Sequence, residues 1–276
     1  MLLHRYFGSH AYETLKEAKL KTSRISDFND PFEFLYISAW RTDAKKVREY
    51  ILSQLDSPEF QAEATRCVPG FTKAGASQHI PKLVAGMISN RDKLIEQDLE
   101  SRQELTDKYM RVVCFSAADV KPSDEILMWS HYAAKHSGVR VGFEFPDGIR
   151  NPFMIAKIEY CENRVEVDYS FGSPIEEMKT ALTKSATTKS LAWSYENEFR
   201  LITLPEHCET RTCGNSRVEH FLTFNREWVK TVDFGVRCPP GEIRQVVDLL
   251  EREYPHVIRQ RAEFHNSQYA LEYKRT

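Results

Sequence analysis

The eight residues Trp193-Ser194-Tyr195-Glu196-Asn197-Glu198-Phe199-Arg200 set the hardest condition on any fold for this chain. Read as a strand, their two-residue period puts Glu196, Glu198 and Arg200 on one face. Tyr195, Asn197, Phe199 and Leu201 take the other. Two carboxylates on one face repel unless a cation or a reacting group lies opposite. Arg200 can neutralise one and leave the other to work. The plainer reading is a solvent-facing strand with a surface ion pair.

Other segments repeat the two-residue period. Leu2 to Phe7 alternates as a short strand, and Ser9 is placed to cap a helix carrying Ala11, Leu15 and Ala18. Val112 to Ser116 is a short apolar run. Val139, Val141, Phe143 and Phe145 alternate with Arg140, Gly142 and Glu144, the pattern of a half-buried strand. Further strands are expected at Phe153–Tyr160, Trp193–Leu204, Phe221–Phe224, Val229–Val236 and Tyr269–Tyr273. Ser123 is placed to cap a helix through Leu127, Trp129 and Tyr132 that stops at Gly138. Further helices are expected around Ile175–Leu182 and along Ile243, Val246, Val247 and Leu250.

Residues 41–111 change character. Ala44, Val47, Ile51 and Leu55 form one helical stripe, and Leu94, Ile95, Leu99, Leu105 and Tyr109 another, with Pro69-Gly70 and Gly75 between them. This segment reads as a helical insertion into a core of residues 1–40 and 112–276. Helices grouped at fixed places, rather than alternating with strands, predict an α+β fold and not a doubly wound parallel sheet.

Composition narrows the function. The chain has 276 residues, 41% of them hydrophobic, enough for one large domain or two small ones. A net charge of -2 argues against a dedicated DNA-binding module, though a local basic cleft stays open. No apolar run approaches the ~18–20 residues of a membrane helix, and the first residues do not read as a signal peptide, so a cytoplasmic protein is expected. The six cysteines, at 67, 114, 161, 208, 213 and 238, contain no Cys-x-x-Cys pair and read as reduced thiols. His207, Cys208, Cys213 and His220 supply zinc-ligand types, but their spacing fits no familiar structural-zinc pattern, so no metal is expected. Glycine-rich dinucleotide turns, phosphate loops, His-Glu-x-x-His and Gly-x-Ser-x-Gly are all missing.

Two more segments carry chemistry-bearing residues. In the helix Leu127 to His136, Trp129, Tyr132, His131 and His136 offer stacking surface and hydrogen-bond donors for a planar ligand, with core packing the ordinary role for the aromatics. His4, Arg5 and Tyr6 lie on the first strand, and Asn29-Asp30-Pro31-Phe32 follows in a loop whose polar side chains ordinarily shape a tight turn.

In order along the chain, these segments resemble the prokaryotic domain-of-unknown-function family 2971 (DUF2971). The opening strand and helix lead to Ser26-Asp27-Phe28-Asn29-Asp30-Pro31-Phe32-Glu33. Cys114-Phe115-Ser116, Leu127 to Gly138 and Trp193 to Arg200 follow. The layout is also similar to ADP-ribosyltransferase folds, especially the DarT-like nucleic-acid-modifying toxins, and this resemblance implies a split β-sheet core. It implies NAD as substrate, with Arg5 or His4 binding it, an aromatic residue stacking on nicotinamide, and Glu196 or Glu198 holding the ribose hydroxyl. His131 is then placed to bind phosphate or take the acceptor's proton. The expected catalytic set is Glu196, Glu198 and His131. The expected NAD-contacting set is His4, Arg5, Tyr6, Asn29, Asp30, Trp129, Tyr132 and Arg200. The sequence departs from the pattern in lacking a clear Ser-Thr-Ser strand, Thr22-Ser23 being nearest.

Three functions follow as expectations. The first is an NAD-dependent ADP-ribosyltransferase-like enzyme, a toxin or phage-defence effector with a nucleic-acid or protein acceptor. The second is a non-catalytic ligand sensor or antitoxin-type partner in such a system. The third is a nuclease holding Mg²⁺ with Asp30, Glu144 and the glutamate pair.

Overall fold

A computed structural model describes residues 1–34, 37–38, 44–89, 104, 106–146, 153–167, 175–212 and 217–276. Its strands, in chain order, are β1 Leu2–Phe7, β2 Lys19–Thr22, β3 Ile37–Ser38, β4 Arg111–Ala117, β5 Val139–Glu144, β6 Phe153–Lys157, β7 Glu159–Cys161 and β8 Glu166–Val167. They continue with β9 Thr188–Ser190, β10 Glu198–Thr203, β11 Glu209–Thr212, β12 Val218–Thr223, β13 Val229–Phe234, β14 Ile258–Phe264 and β15 Leu271–Arg275. The fold is mixed α+β with a large mixed sheet. Two compact units divide the chain: residues 1–29, 107–160 and 189–276 form one, and residues 30–106 and 161–188 the other.

In the first unit eight strands lie in the order β15-β14-β13-β5-β1-β4-β10-β6. β13 and β14 run parallel and are joined through the Pro240–Glu253 helix, as a crossover requires; the other ladders are antiparallel. One face is apolar. Leu3, Val113, Phe115, Val141, Phe143, Leu201 and Val232 bury there with Leu15, Val246, Leu249 and Leu250 of two helices.

The opposite face is polar. The register aligns Glu198, Ser116, His4, Gly142 and Thr231 in one row across five strands, and Tyr6, Arg140 and Asp233 in the next. The Pro122–Tyr132 helix supplies Met128 and Trp129, which pack with Tyr6 and Ala133. Val139–Glu144 is therefore buried on both faces rather than half-buried, because Arg140 is neutralised by Asp233 and Glu125.

β1 and β4 pair only at Leu3–Ala117 and His4–Ser116. Beyond that point β4 bridges to Ser23 through Val112, next to the three-stranded sheet β11-β12-β2. The two central strands thus part company halfway along, and a cleft opens between them.

In the second unit Val47 and Ile51 bury against Ala64, Ile80 and Leu83 of the Pro58–Cys67 and Ala76–Ser89 helices. Pro69-Gly70 and Gly75 fall between helices, as their sequence predicts. Ile37–Ser38 pairs in parallel with Glu166–Val167.

Several local expectations change. His10, not Ser9, occupies the position before the first helix, so the Ser9 hydroxyl sits one residue too early to cap it. Lys121 precedes the next helix and Pro122 starts it, which leaves Ser123 inside the first turn. Phe153–Tyr160 breaks into β6 and β7. Tyr109 is exposed rather than part of a buried stripe, and Leu94, Ile95, Leu99 and Leu105 lie outside the described residues. The chain leaves the Pro122–Tyr132 helix through left-handed Ala134, Lys135 and His136, so Gly138 is not needed for a left-handed cap.

Close approach is what Gly138 provides. A Cβ there would lie 2.0 Å from the Phe7 carbonyl oxygen, a backbone atom of β1. Gly138→Ala should therefore lower the urea midpoint by the equivalent of about 2–3 kcal/mol, the cost of forcing packed backbone apart; an unchanged midpoint would contradict this packing.

Candidate functional site

Trp193 to Arg200 does not form one strand. Leu191–Glu196 is a 3-10 helix, capped at its start by the Ser190 side chain on Ala192 N–H, and β10 begins at Glu198. Asn197 joins them in a left-handed conformation (φ 43°), a turn that asparagine tolerates better than most residues. This turn, not strand alternation, brings Glu196 and Glu198 to the same place.

Neither carboxylate is at the surface. Glu196 is 4% exposed, Glu198 2% and Arg200 0%. The solvent-facing ion pair is thus excluded, and the charges are matched inside. Lys189 Nζ stands 2.7 Å from Glu196 Oε2 and 3.1 Å from Glu198 Oε2. Arg200 grips Glu198 from beneath, Nε at 2.7 Å from Oε1 and Nη2 at 3.1 Å from Oε2. The Tyr132 hydroxyl donates to Glu196 Oε1, and the Glu198 backbone N–H donates to the Tyr160 hydroxyl at 2.8 Å.

These partners split the pair. Burial pushes the Glu196 carboxyl above the usual carboxylate range, and Lys189 and Tyr132 only partly offset it. Burial pushes Glu198 the same way, but Arg200 and then Lys189 outweigh it and hold Glu198 below that range. One carboxylate stays ionised while the other exchanges a proton more readily, the arrangement by which two neighbouring acids take separate roles. The Cys114 thiol, beside Glu198, is driven well up by burial and by that carboxylate, and is not a nucleophile.

The two glutamates, Lys189 and Tyr132 line a cleft of about 260 Å³ with His4, Arg5, Tyr6, Ser116 and Asn29. The first strand does not act as a block. His4 and Tyr6 lie on the polar face, whereas Arg5 is on the other and reaches into the gap between β1 and β4. There its Nη1 donates to the Cys114 carbonyl at 3.1 Å and its Nη2 to that of Lys21 at 3.4 Å, with the guanidinium over the Phe7 and Phe115 rings. It thereby serves a carbonyl left where the β1–β4 ladder stops. Among the described residues Arg5 has no carboxylate partner.

Other expected site residues stand elsewhere. Trp129 is fully buried core, its Nε1 donating to the Tyr273 hydroxyl at 2.9 Å. Arg200 lies beneath the cleft, against the Phe28 ring. His131 is exposed and outside the cleft lining; its Nδ1 is 3.1 Å from the Tyr195 hydroxyl and its ring packs edge-on against Tyr132. Asp30 shapes a turn, accepting the Phe32 N–H at 2.9 Å. Glu144 lines a separate hollow beside Lys230, so it does not join the glutamate pair around a cation. Cys213 lies outside the described residues, among which no group of three or more side chains could hold a metal. The sequence reading missed Lys189, which sits in a polar stretch with nothing local to mark it. It also missed Tyr160 and Ser116.

His4 is 6% exposed, and burial, then Arg140, holds its imidazole down at about 3. The unfolded chain binds that proton below pH ~6.5 and the folded chain only near 3, so stability drains away as pH falls between those values. Chemical denaturation from pH 6 to 4 should show a slope about 1.4 kcal/mol per pH unit shallower in His4→Gln than in the native chain. Equal slopes would mean that His4 is not buried neutral.

No helix among the described residues is long and apolar enough to cross a membrane. No curated protein and no solved structure matches the chain. Residues 128–201, the stretch that carries Tyr132, Lys189, Glu196, Glu198 and Arg200, match the family model described as "Protein of unknown function (DUF2971)".

Proposed function

We propose that the cleft between β1 and β4 binds NAD and transfers its ADP-ribosyl group, on an ADP-ribosyltransferase-like split sheet. The observation that carries this reading is the company kept there: Arg5, with no carboxylate partner among the described residues, shares the cleft with Glu198, which Arg200 and Lys189 hold below the usual carboxylate range, and Glu196, which burial pushes above it. Its ~260 Å³ falls just below the usual ~300–1,000 Å³ of small-molecule sites, so it encloses part of a dinucleotide and leaves the rest along the mouth.

The chemistry follows from the two charge states. Breaking the bond between nicotinamide and ribose leaves positive charge at the anomeric carbon, and neutral nicotinamide departs with the bonding electrons. Glu198, kept ionised by Arg200 and Lys189, stabilises that charge and accepts a hydrogen bond from a ribose hydroxyl. An acceptor O–H or N–H then attacks the carbon, and its proton passes to Glu196. Arg5 donates to the pyrophosphate through the N–H groups its two carbonyl partners leave free. His131, outside the cleft, acts only indirectly, through its contacts with Tyr195 and Tyr132.

Incubation with labelled NAD and nucleic acid, protein or water as acceptor should release nicotinamide. Glu198→Gln should lose about 10²-fold or more of that rate. The rate should climb as pH rises through the raised Glu196 pKa, because the base must be ionised, and Glu196→Gln should abolish that limb while losing about 10²-fold. NAD binding without turnover would favour the sensor or antitoxin-type reading; full activity in both variants, shown folded by circular dichroism, would overturn the site.

A further inference from the structure

Three strands separate β15, at the edge of the large sheet, from β1 at the cleft, yet one of its side chains reaches the helix that serves the cleft. The Tyr273 hydroxyl donates to Glu125 Oε1 at 2.7 Å and accepts from Trp129 Nε1 at 2.9 Å. Glu125 and Trp129 stand at i and i+4 on the Pro122–Tyr132 helix, so one oxygen ties two successive turns to β15. Tyr132 follows Trp129 at i+3, on the same side of the helix. There its hydroxyl donates to Glu196, and it lines the cleft together with Met128.

The bracket is backed by buried charge. Arg140 donates to the same Glu125 oxygen and, through Nε at 2.9 Å, to Asp233, while its guanidinium lies 4.4 Å from the centre of the Tyr273 ring. The Arg140 and Asp233 side chains are 6% and 1% exposed, so these contacts act largely out of water, where they are strongest. The helix has little else to orient it. No side chain caps its start at Lys121, and its end runs into left-handed Ala134, Lys135 and His136. Met128 and Trp129 press it onto the sheet, but apolar packing is not directional. The two hydrogen bonds of Tyr273 are.

We infer that Tyr273 is a positioning residue for the site: by bracketing Glu125 and Trp129 it fixes the rotation of the helix, and with it the reach of Tyr132 to Glu196. β15 thereby serves a cleft that it does not line. The part Tyr273 plays in turnover rests on the proposed transfer; its hold on Glu196 does not. Glu196 faces Lys189, Glu198, Tyr132, Tyr195 and Tyr160, and of these only Tyr132 stands on the bracketed helix. The Tyr132 hydrogen bond favours the ionised carboxylate, so weakening it raises the pH at which Glu196 titrates.

Carbon-13 NMR titration of the Glu196 carboxyl in the free protein reads that midpoint without NAD. Tyr132→Phe should raise it by about 1–2 pH units, the worth of one hydrogen bond to a charged group. Tyr273→Phe keeps the ring over Arg140 and should raise it by roughly 0.5 unit or more. The double variant should go no further than Tyr132→Phe alone, because both act through one bond. Glu125→Gln, a weaker acceptor for Tyr273, should also raise the midpoint, although loss of a negative charge by itself would lower it. A native midpoint in folded Tyr273→Phe would overturn the assignment, as would one in Tyr132→Phe. If Tyr273→Phe does not fold, Glu125→Gln decides in the same way. A protein that shows these shifts but releases no nicotinamide from NAD would sink the transfer reading and leave the bracket standing.

Discussion

One buried ammonium organises the site. Lys189 stands between Glu196 and Glu198, and with Arg200 below it balances two carboxylates that are almost wholly buried in the wall of the cleft. Removing one member of such a set leaves a buried charge uncompensated, at a cost of about 3–5 kcal/mol. The arrangement is also unequal. Arg200 commits both oxygens of Glu198, whereas Glu196 is held by one lysine and one tyrosine. That inequality gives the two acids different protonation behaviour, and the proposed reaction depends on it.

The second constraint is topological. β1 and β4 are neighbours in the sheet, yet they pair over two residues only before separating. A sheet that opens in its middle exposes carbonyls, and Arg5 answers one from β4 and one from β2. The same opening lets residues from both faces meet: His4, Tyr6 and Glu198 from the polar side, the Arg5 guanidinium from the other. Strand separation thus makes the cleft, and the charges at its rim give it chemistry.

Much of this was legible in the sequence, unevenly. The strands at Leu2–Phe7 and Val139–Glu144 follow from local alternation, that at Arg111–Ala117 from a short apolar run, and the helical stripe of Val47 and Ile51 from its spacing. Glu196 and Glu198 stood out because two acids so close demand a partner. Their partner did not, because Lys189 reaches them across a turn and a 3-10 helix that carry no periodic signal. Alternation also misassigned Trp193–Asn197, since a 3-10 helix runs to Glu196 and ends at one left-handed residue, Asn197. Trp129 illustrates the opposite error: aromatic and charged neighbours made it look like a ligand platform, but it fills the core and donates to Tyr273. Register across five strands, which sets Glu198, His4 and Thr231 in one row, is a long-range property that local spacing does not encode.

A crystal structure with a non-hydrolysable NAD analogue tests the central claim most directly. The account predicts that the nicotinamide riboside half enters the cleft between β1 and β4, with its ribose within hydrogen-bond reach of Glu198 and its pyrophosphate on Arg5. An analogue bound elsewhere, or a cleft that stays empty at saturating analogue, would contradict it.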